Sequence, residues 1–127
     1  MNRILRTLAA AALLAVGSGA ALAQTQPFPT KPITLVVNFP PGGAADVIGR
    51  ALAQQLGDQL KQQVVVENRP GANGNLGADA VAKSPADGYT LLMSSGGAMT
   101  VNPFIYASMP FDPVKDLTPV SSAARVL

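Results

Sequence analysis

The residues whose types and spacing could do chemistry sit in two stretches rich in glycine and small polar side chains. Phe39-Pro40-Pro41-Gly42-Gly43-Ala44-Ala45-Asp46 is one, and Ser94-Ser95-Gly96-Gly97-Ala98-Met99-Thr100 is the other. Their chemistry is the holding of an anion by backbone N–H groups and hydroxyls. Glycines let a ligand approach the main chain, and a helix start leaves its first N–H groups without partners. Plainer readings stand beside this one. Pro40 to Gly43 also suits a simple strand-to-helix turn, and Ser94 and Ser95 suit loop filler. Asp46 suits a first-turn partner of the helix dipole, and as a carboxylate it would repel an anion. Asn68 to Gly74 reads as structural more than ligand-bearing. Arg69 suits pairing with a carboxylate, and Tyr89 suits a strand residue packed on the core.

Other chemistries are excluded by what is absent. The chain has 127 residues with no His, no Cys and no Trp. It therefore lacks a thiolate nucleophile, a Ser-His pair, the usual zinc ligands and a disulfide framework. It holds no G-x-x-x-x-G-K-[ST] loop. Gly71 to Gly77 reads G-x-x-G-x-x-G, not the G-x-G-x-x-G of dinucleotide loops. No basic patch interleaved with aromatics suggests nucleic acid. Charged residues are 13% and apolar residues 48%, a composition that folds rather than one that stays solvated.

The formal charge of +2 rests on the first segment. Residues 1–23 start with Arg3 and Arg6, continue through an apolar run from Leu8 to Val16, and end on Ala21-Leu22-Ala23. That is the pattern of a secretory signal peptide cleaved before Gln24. The run is too short for a membrane span of about 20 residues. Without this leader the chain keeps seven basic and seven acidic residues and is neutral. An exported chain without cysteines suits a Gram-negative periplasm.

The positioning elements follow from pattern. Ile33 to Phe39 is a β-branched apolar run of strand length, stopped by Pro40 to Gly43. Such a run, apolar on both faces, suits a parallel sheet covered on both sides. Ala44 to Leu60 reads as a helix with a stripe of Ile48, Leu52, Leu56 and Leu60, with Val47 and Ala51 beside it. Val64 to Glu67 is a second strand. Asn75 to Lys83 is a short helix facing inward with Leu76, Ala80 and Val81. Tyr89 to Met93 is a third strand, Ser94 to Ala98 a flexible loop, and Val101 to Tyr106 one or two helical turns. Asp116 to Val120 leads toward a further strand. The order β-α-β-α-β gives an α/β, doubly wound, mostly parallel sheet. Ligands of such sheets bind outside the carboxyl ends of the strands, where three loops fall: Phe39 to Ala45, Asn68 to Gly74 and Ser94 to Thr100. Three or four strands make a thin domain, so residues 24–127 are expected to be part of one lobe of a longer protein.

Five motifs then stand in register. They are Phe39-Pro40-Pro41-Gly42-Gly43-Ala44-Ala45-Asp46, Val64 to Gly74, Ala86-Asp87-Gly88-Tyr89-Thr90-Leu91-Leu92, Val101 to Tyr106 and Phe111 to Val120. With them the chain resembles the Bug family, the periplasmic solute-binding receptors of tripartite tricarboxylate transporters (TctC-like). The resemblance covers the mature chain and matches the N-terminal portion of these two-lobed proteins. It implies the first lobe of a type II periplasmic-binding-protein fold, with a carboxylate solute in the interlobe cleft. It implies no enzymatic activity, cofactor or metal. Its partners would be a small carboxylate or related organic solute and the membrane subunits of the transporter, with no nucleic acid, and a monomer is expected. The family's ligand contacts map to Phe39, Gly42, Gly43, Ala44 and Ala45 and to Ser94, Ser95, Gly96 and Thr100. Asp46 matches its acidic position. Lys61 and Asn73 stand where the family often has Gly. The alternatives are an exported α/β enzyme with its catalytic residues beyond residue 127, or a nonfunctional truncated product.

Overall fold

The structure is a computed structural model that describes residues 27–124. The expected leader lies outside the described residues. Strand β1 (Ile33–Val37) is the centre of a three-stranded sheet ordered β2-β1-β3, with β2 at Val64–Asn68 and β3 at Thr90–Met93. Both neighbours are parallel to β1. Leu35 stands opposite Val66 on one side and Leu91 on the other. Four of the five β1 residues are buried, as a strand covered on both faces requires.

Helix α1 (Ala44–Leu60) links β1 to β2, and α2 (Asn75–Ala82) follows a 3-10 turn at Ala72–Gly74 and leads to β3. The two helices cover opposite faces. A side chain at Gly49 of α1 would meet the Val37 side chain at 2.9 Å. One at Gly77 of α2 would meet Asn38 Cβ at 2.7 Å. Val37 and Asn38 are consecutive, so their side chains leave the sheet on opposite sides. The expected β-α-β-α-β order and the doubly wound parallel sheet are thus present.

Details differ where small residues decide the packing. Asp46, Gly49 and Ala53 are the buried positions of α1, while Val47 is 61% exposed and Ala51 is also exposed. The helix lies so close to the sheet that small residues form the contact and the leucines flank it. Leu76, expected inward, is 57% exposed, and α2 buries Asn75, Gly77, Ala78 and Val81. Tyr89 precedes β3 and packs on Phe28, with ring centroids 4.9 Å apart, at the amino edge of the sheet and not in the core. Only Ser94 and Ser95 form the loop after β3. Gly96–Thr100 is helix α3, and Asn102–Ile105 is α4. Residues 117–124 form no strand, because none of their backbone groups finds a ladder partner among the described residues. The core gathers around β1: Ile33, Leu35, Val36 and Val37 with Ala53, Ala78, Val81, Ala98 and Phe111.

Candidate functional site

The chain moves from β1 to β2 on one side and then crosses back to β3 on the other. Its direction reverses beside β1, and the crevice between the carboxyl ends of β1 and β3 is the switch point where open parallel sheets take ligands. The loop after β1 brings Phe39 and Gly42 to Ala45 to this edge, and the loop after β3 brings Ser94, Ser95 and Gly96.

Gly43 is the N-cap of α1, in extended conformation, and no side chain caps the helix. The first helical bond runs from the Val47 N–H to the Gly43 carbonyl, 3.0 Å. The N–H groups before it have no helical acceptor. Gly42, Gly43 and Ala44 are exposed. Gly42 has φ +82, which explains a glycine at that bend. The helix start is therefore open and positive.

Asp46 sits in that first turn but faces the protein. It is 4% exposed. Its Oδ2 accepts from the Gly42 N–H at 2.9 Å and from Arg50 Nε at 3.0 Å. Its Oδ1 accepts from Asn68 Nδ2 at 2.9 Å and pairs with Arg50 Nη2 at 3.0 Å. The Arg50 hydrogen bond, the Gly42 N–H and the Asn68 amide hold its pKa at about 2. Asn68 Nδ2 also donates to the Phe39 carbonyl, 3.2 Å. The aspartate is a clamp on the β1–α1 loop, and Arg50 cancels its charge one helical turn on.

The second loop is tied by Asn38, which is 1% exposed at the end of β1. Its Nδ2 donates to the Gly74 carbonyl at 3.0 Å and to Ser94 Oγ at 2.8 Å. Its Oδ1 is buried without a partner among the described residues, a cost of about 1–3 kcal/mol. Ser95 and Gly96 are exposed. Thr100 is also exposed, but its hydroxyl donates to the Gly96 carbonyl at 2.8 Å inside α3, so its proton is not offered at the edge.

Gly71, Ala72, Asn73 and Gly74 all have positive φ. This turn is held by Asn102: its Nδ2 donates to the Asn73 carbonyl at 3.1 Å and to Asn75 Oδ1 at 2.6 Å, and its Oδ1 accepts from Asn73 Nδ2 at 2.6 Å. The stretch Asn68–Gly74 is thus built as structure. Arg69 pairs with Glu67 at 2.7 Å, as expected of it. Sequence reasoning missed Asn38, Asn68 and Asn102. For Asn38 the available signal was a polar residue ending a buried apolar run, since buried amides demand partners; Asn68 and Asn102 carried no such signal. Among the described residues no cluster of three or more acidic side chains could hold a metal ion.

Fold and opening define a class: an α/β lobe whose three-stranded parallel sheet leaves its carboxyl edge open. The profile described as "Tripartite tricarboxylate transporter family receptor" matches residues 48–126. The chain belongs to that family. Protein BugT of Bordetella pertussis is 46% identical over 127 residues, covering 99% of this chain and 38% of BugT. An intergenic-region protein of Pseudomonas sp. strain P51 is 44% identical, covering 95% of this chain and 36% of its own. Among solved structures, MatC from Rhodopseudomonas palustris with bound malate matches with TM-score 0.70 and 34% identity, covering 73% of this chain and 32% of its own. An R. palustris protein solved with adipate matches with TM-score 0.66 and 41% identity, covering 68% and 29%. The chain spans under two fifths of the length of these curated relatives.

Proposed function

We propose that this chain forms the carboxylate-holding edge of an extracytoplasmic solute-binding receptor serving a tripartite tricarboxylate-type transporter. One observation carries the reading: the start of α1 is open at the switch point, and its own aspartate is already neutralised by Arg50. One carboxylate of the solute lies at the N–H groups of Gly43, Ala44 and Ala45, with the hydroxyls of Ser94 and Ser95 beside it and Phe39 at the rim. The dipole favours an anion there by about 0.3–1 kcal/mol, or up to about 2 when partly buried. Each charge-assisted hydrogen bond adds roughly 1.5–3 kcal/mol. Two structural neighbours solved with malate and adipate, both dicarboxylates, support the reading.

The remainder of the cleft is the work of a second lobe, which closes over the solute and presents it to the membrane subunits. The role is binding without catalysis. Residues 1–23 act as the export signal, and the mature protein starts at Gln24 in the periplasm. No helix among the described residues is long and apolar enough to cross a membrane. The test is calorimetric titration of the purified protein with adipate, malate and succinate against putrescine and glucose. Saturable binding confined to dicarboxylates is expected. Binding confined to the diamine or the sugar would contradict the reading.

A further inference from the structure

Ser94 has one hydroxyl proton and two lone pairs, so it can meet a solute either as donor or as acceptor. What decides this is buried beneath it. The Asn38 amide lies between the Gly74 carbonyl, 3.0 Å away, and Ser94 Oγ, 2.8 Å away. A carbonyl only accepts, so the Asn38 atom facing Gly74 must be the NH2 nitrogen. That same nitrogen carries the second proton, which goes to Ser94. Ser94 Oγ is therefore an acceptor on its inner side and keeps its own proton for elsewhere. Its remaining acceptor among the described residues is the adjacent Ser95 carbonyl at 3.3 Å, a long bond that a charged acceptor displaces. The amide cannot turn over without setting its oxygen against the Gly74 carbonyl. It also has no room to swing away. A side chain at Gly74 would meet Asn38 Nδ2 at 2.5 Å, and one at Gly77 would meet Asn38 Cβ at 2.7 Å.

We infer that Asn38 is a positioning residue that fixes Ser94 as a hydrogen-bond donor, and thereby makes the site prefer a carboxylate over the amide of the same shape. This rests on the carboxylate reading above and adds its selectivity. A carboxylate offers only acceptors and meets both the Ser94 proton and the N–H groups of Gly43 to Ala45, whereas a primary amide that turns its C=O to Ser94 sets its NH2 against those other donors.

The probes are adipate and adipamide, equal in length and differing in charge and in hydrogen-bond polarity. Their affinities are measured by calorimetry for the wild type, Asn38→Leu, Ser94→Ala and the double variant. The wild type prefers adipate. Each single variant lowers the adipate-to-adipamide ratio about tenfold, and the double variant lowers it no further than Ser94→Ala alone. Equal weakening of both probes by Asn38→Leu, or the same effect of Asn38→Leu with and without the Ser94 hydroxyl, makes Asn38 merely structural and overturns the inference. The carboxylate reading then survives. A wild type that binds adipamide as tightly as adipate, or binds neither, removes both. If Asn38→Leu does not fold, neutron diffraction of the wild type decides. A deuteron on Asn38 Nδ2 aimed at Ser94 Oγ is expected, and a Ser94 deuteron aimed at Asn38 overturns the inference.

Discussion

Asp46 stands in the first turn of α1, where Arg50 pairs with its charge and Asn68 donates a hydrogen bond to it. The consequence is a pH dependence of stability. The folded pKa of about 2 lies below the ordinary value of 3.8. The stabilisation from Asp46 is therefore present above about pH 4 and is lost as the pH falls toward about 2. Asp87, held down by the Tyr89 N–H and Lys31, and Asp112, held down by the Val114 and Lys115 N–H groups, act in the same direction. Asp46→Asn should be less stable than wild type at pH 7 and should lose less on acidification, as read by thermal unfolding between pH 6 and pH 2.5. Parallel losses would remove Asp46 from this role. Lys61, at a position where the family often has Gly, ends α1 in the left-handed region with φ 55. Lys61→Gly should raise stability by about 1 kcal/mol in urea unfolding, because the strain of that conformation outweighs the glycine's extra chain entropy.

At the scale of elements, helix α1 was legible to its ends, because Pro-Pro-Gly-Gly stops the strand and the apolar spacing repeats every turn. Its inward face was less so. Hydropathy ranks Val47 above Gly49, yet close approach to the sheet selects the glycine. Helix α3 was hidden by its two glycines and its five residues. The candidate loops lie at the carboxyl edge, as the rule for parallel sheets expects, but their ties were not legible. Asn38 finds Gly74 and Ser94 at separations of 36 and 56 residues, which no local spacing encodes. Close packing gives a direct test. A methyl at Gly77 would lie 2.7 Å from the Arg69 carbonyl oxygen and 2.7 Å from Asn38 Cβ. Gly77→Ala should cost about 1–3 kcal/mol by forcing α2 off the sheet. Gly96→Ala points into open space and should change stability by less than about 0.5 kcal/mol. Denaturant unfolding of the two variants checks the contrast.

For the whole molecule, the two edges of the sheet do different work. The amino edge is closed by Phe28, Tyr89 and the Lys31–Asp87 pair, and the carboxyl edge is left open at Gly43 and Ser95. If residues 1–23 are the proposed export signal, an intact-mass measurement of periplasmic protein should find Gln24, or its cyclised form, at the N-terminus. Retention of Met1 would contradict it. The most direct measurement of carboxylate binding at the open edge is calorimetric titration of adipate into wild type, Gly43→Val and Gly88→Val. Gly43 has φ −80, and its nearest prospective contact is the Pro40 carbonyl at 3.6 Å, so the fold accepts a side chain that the opening does not. Gly88 has φ +81, and a side chain there would meet the Phe28 ring at 3.2 Å at the closed edge. Expected are a loss of tenfold or more, about 1.4 kcal/mol, for Gly43→Val, and for Gly88→Val a lower melting temperature with unchanged affinity. Equal affinities in all three proteins would take the β1–α1 loop out of the site.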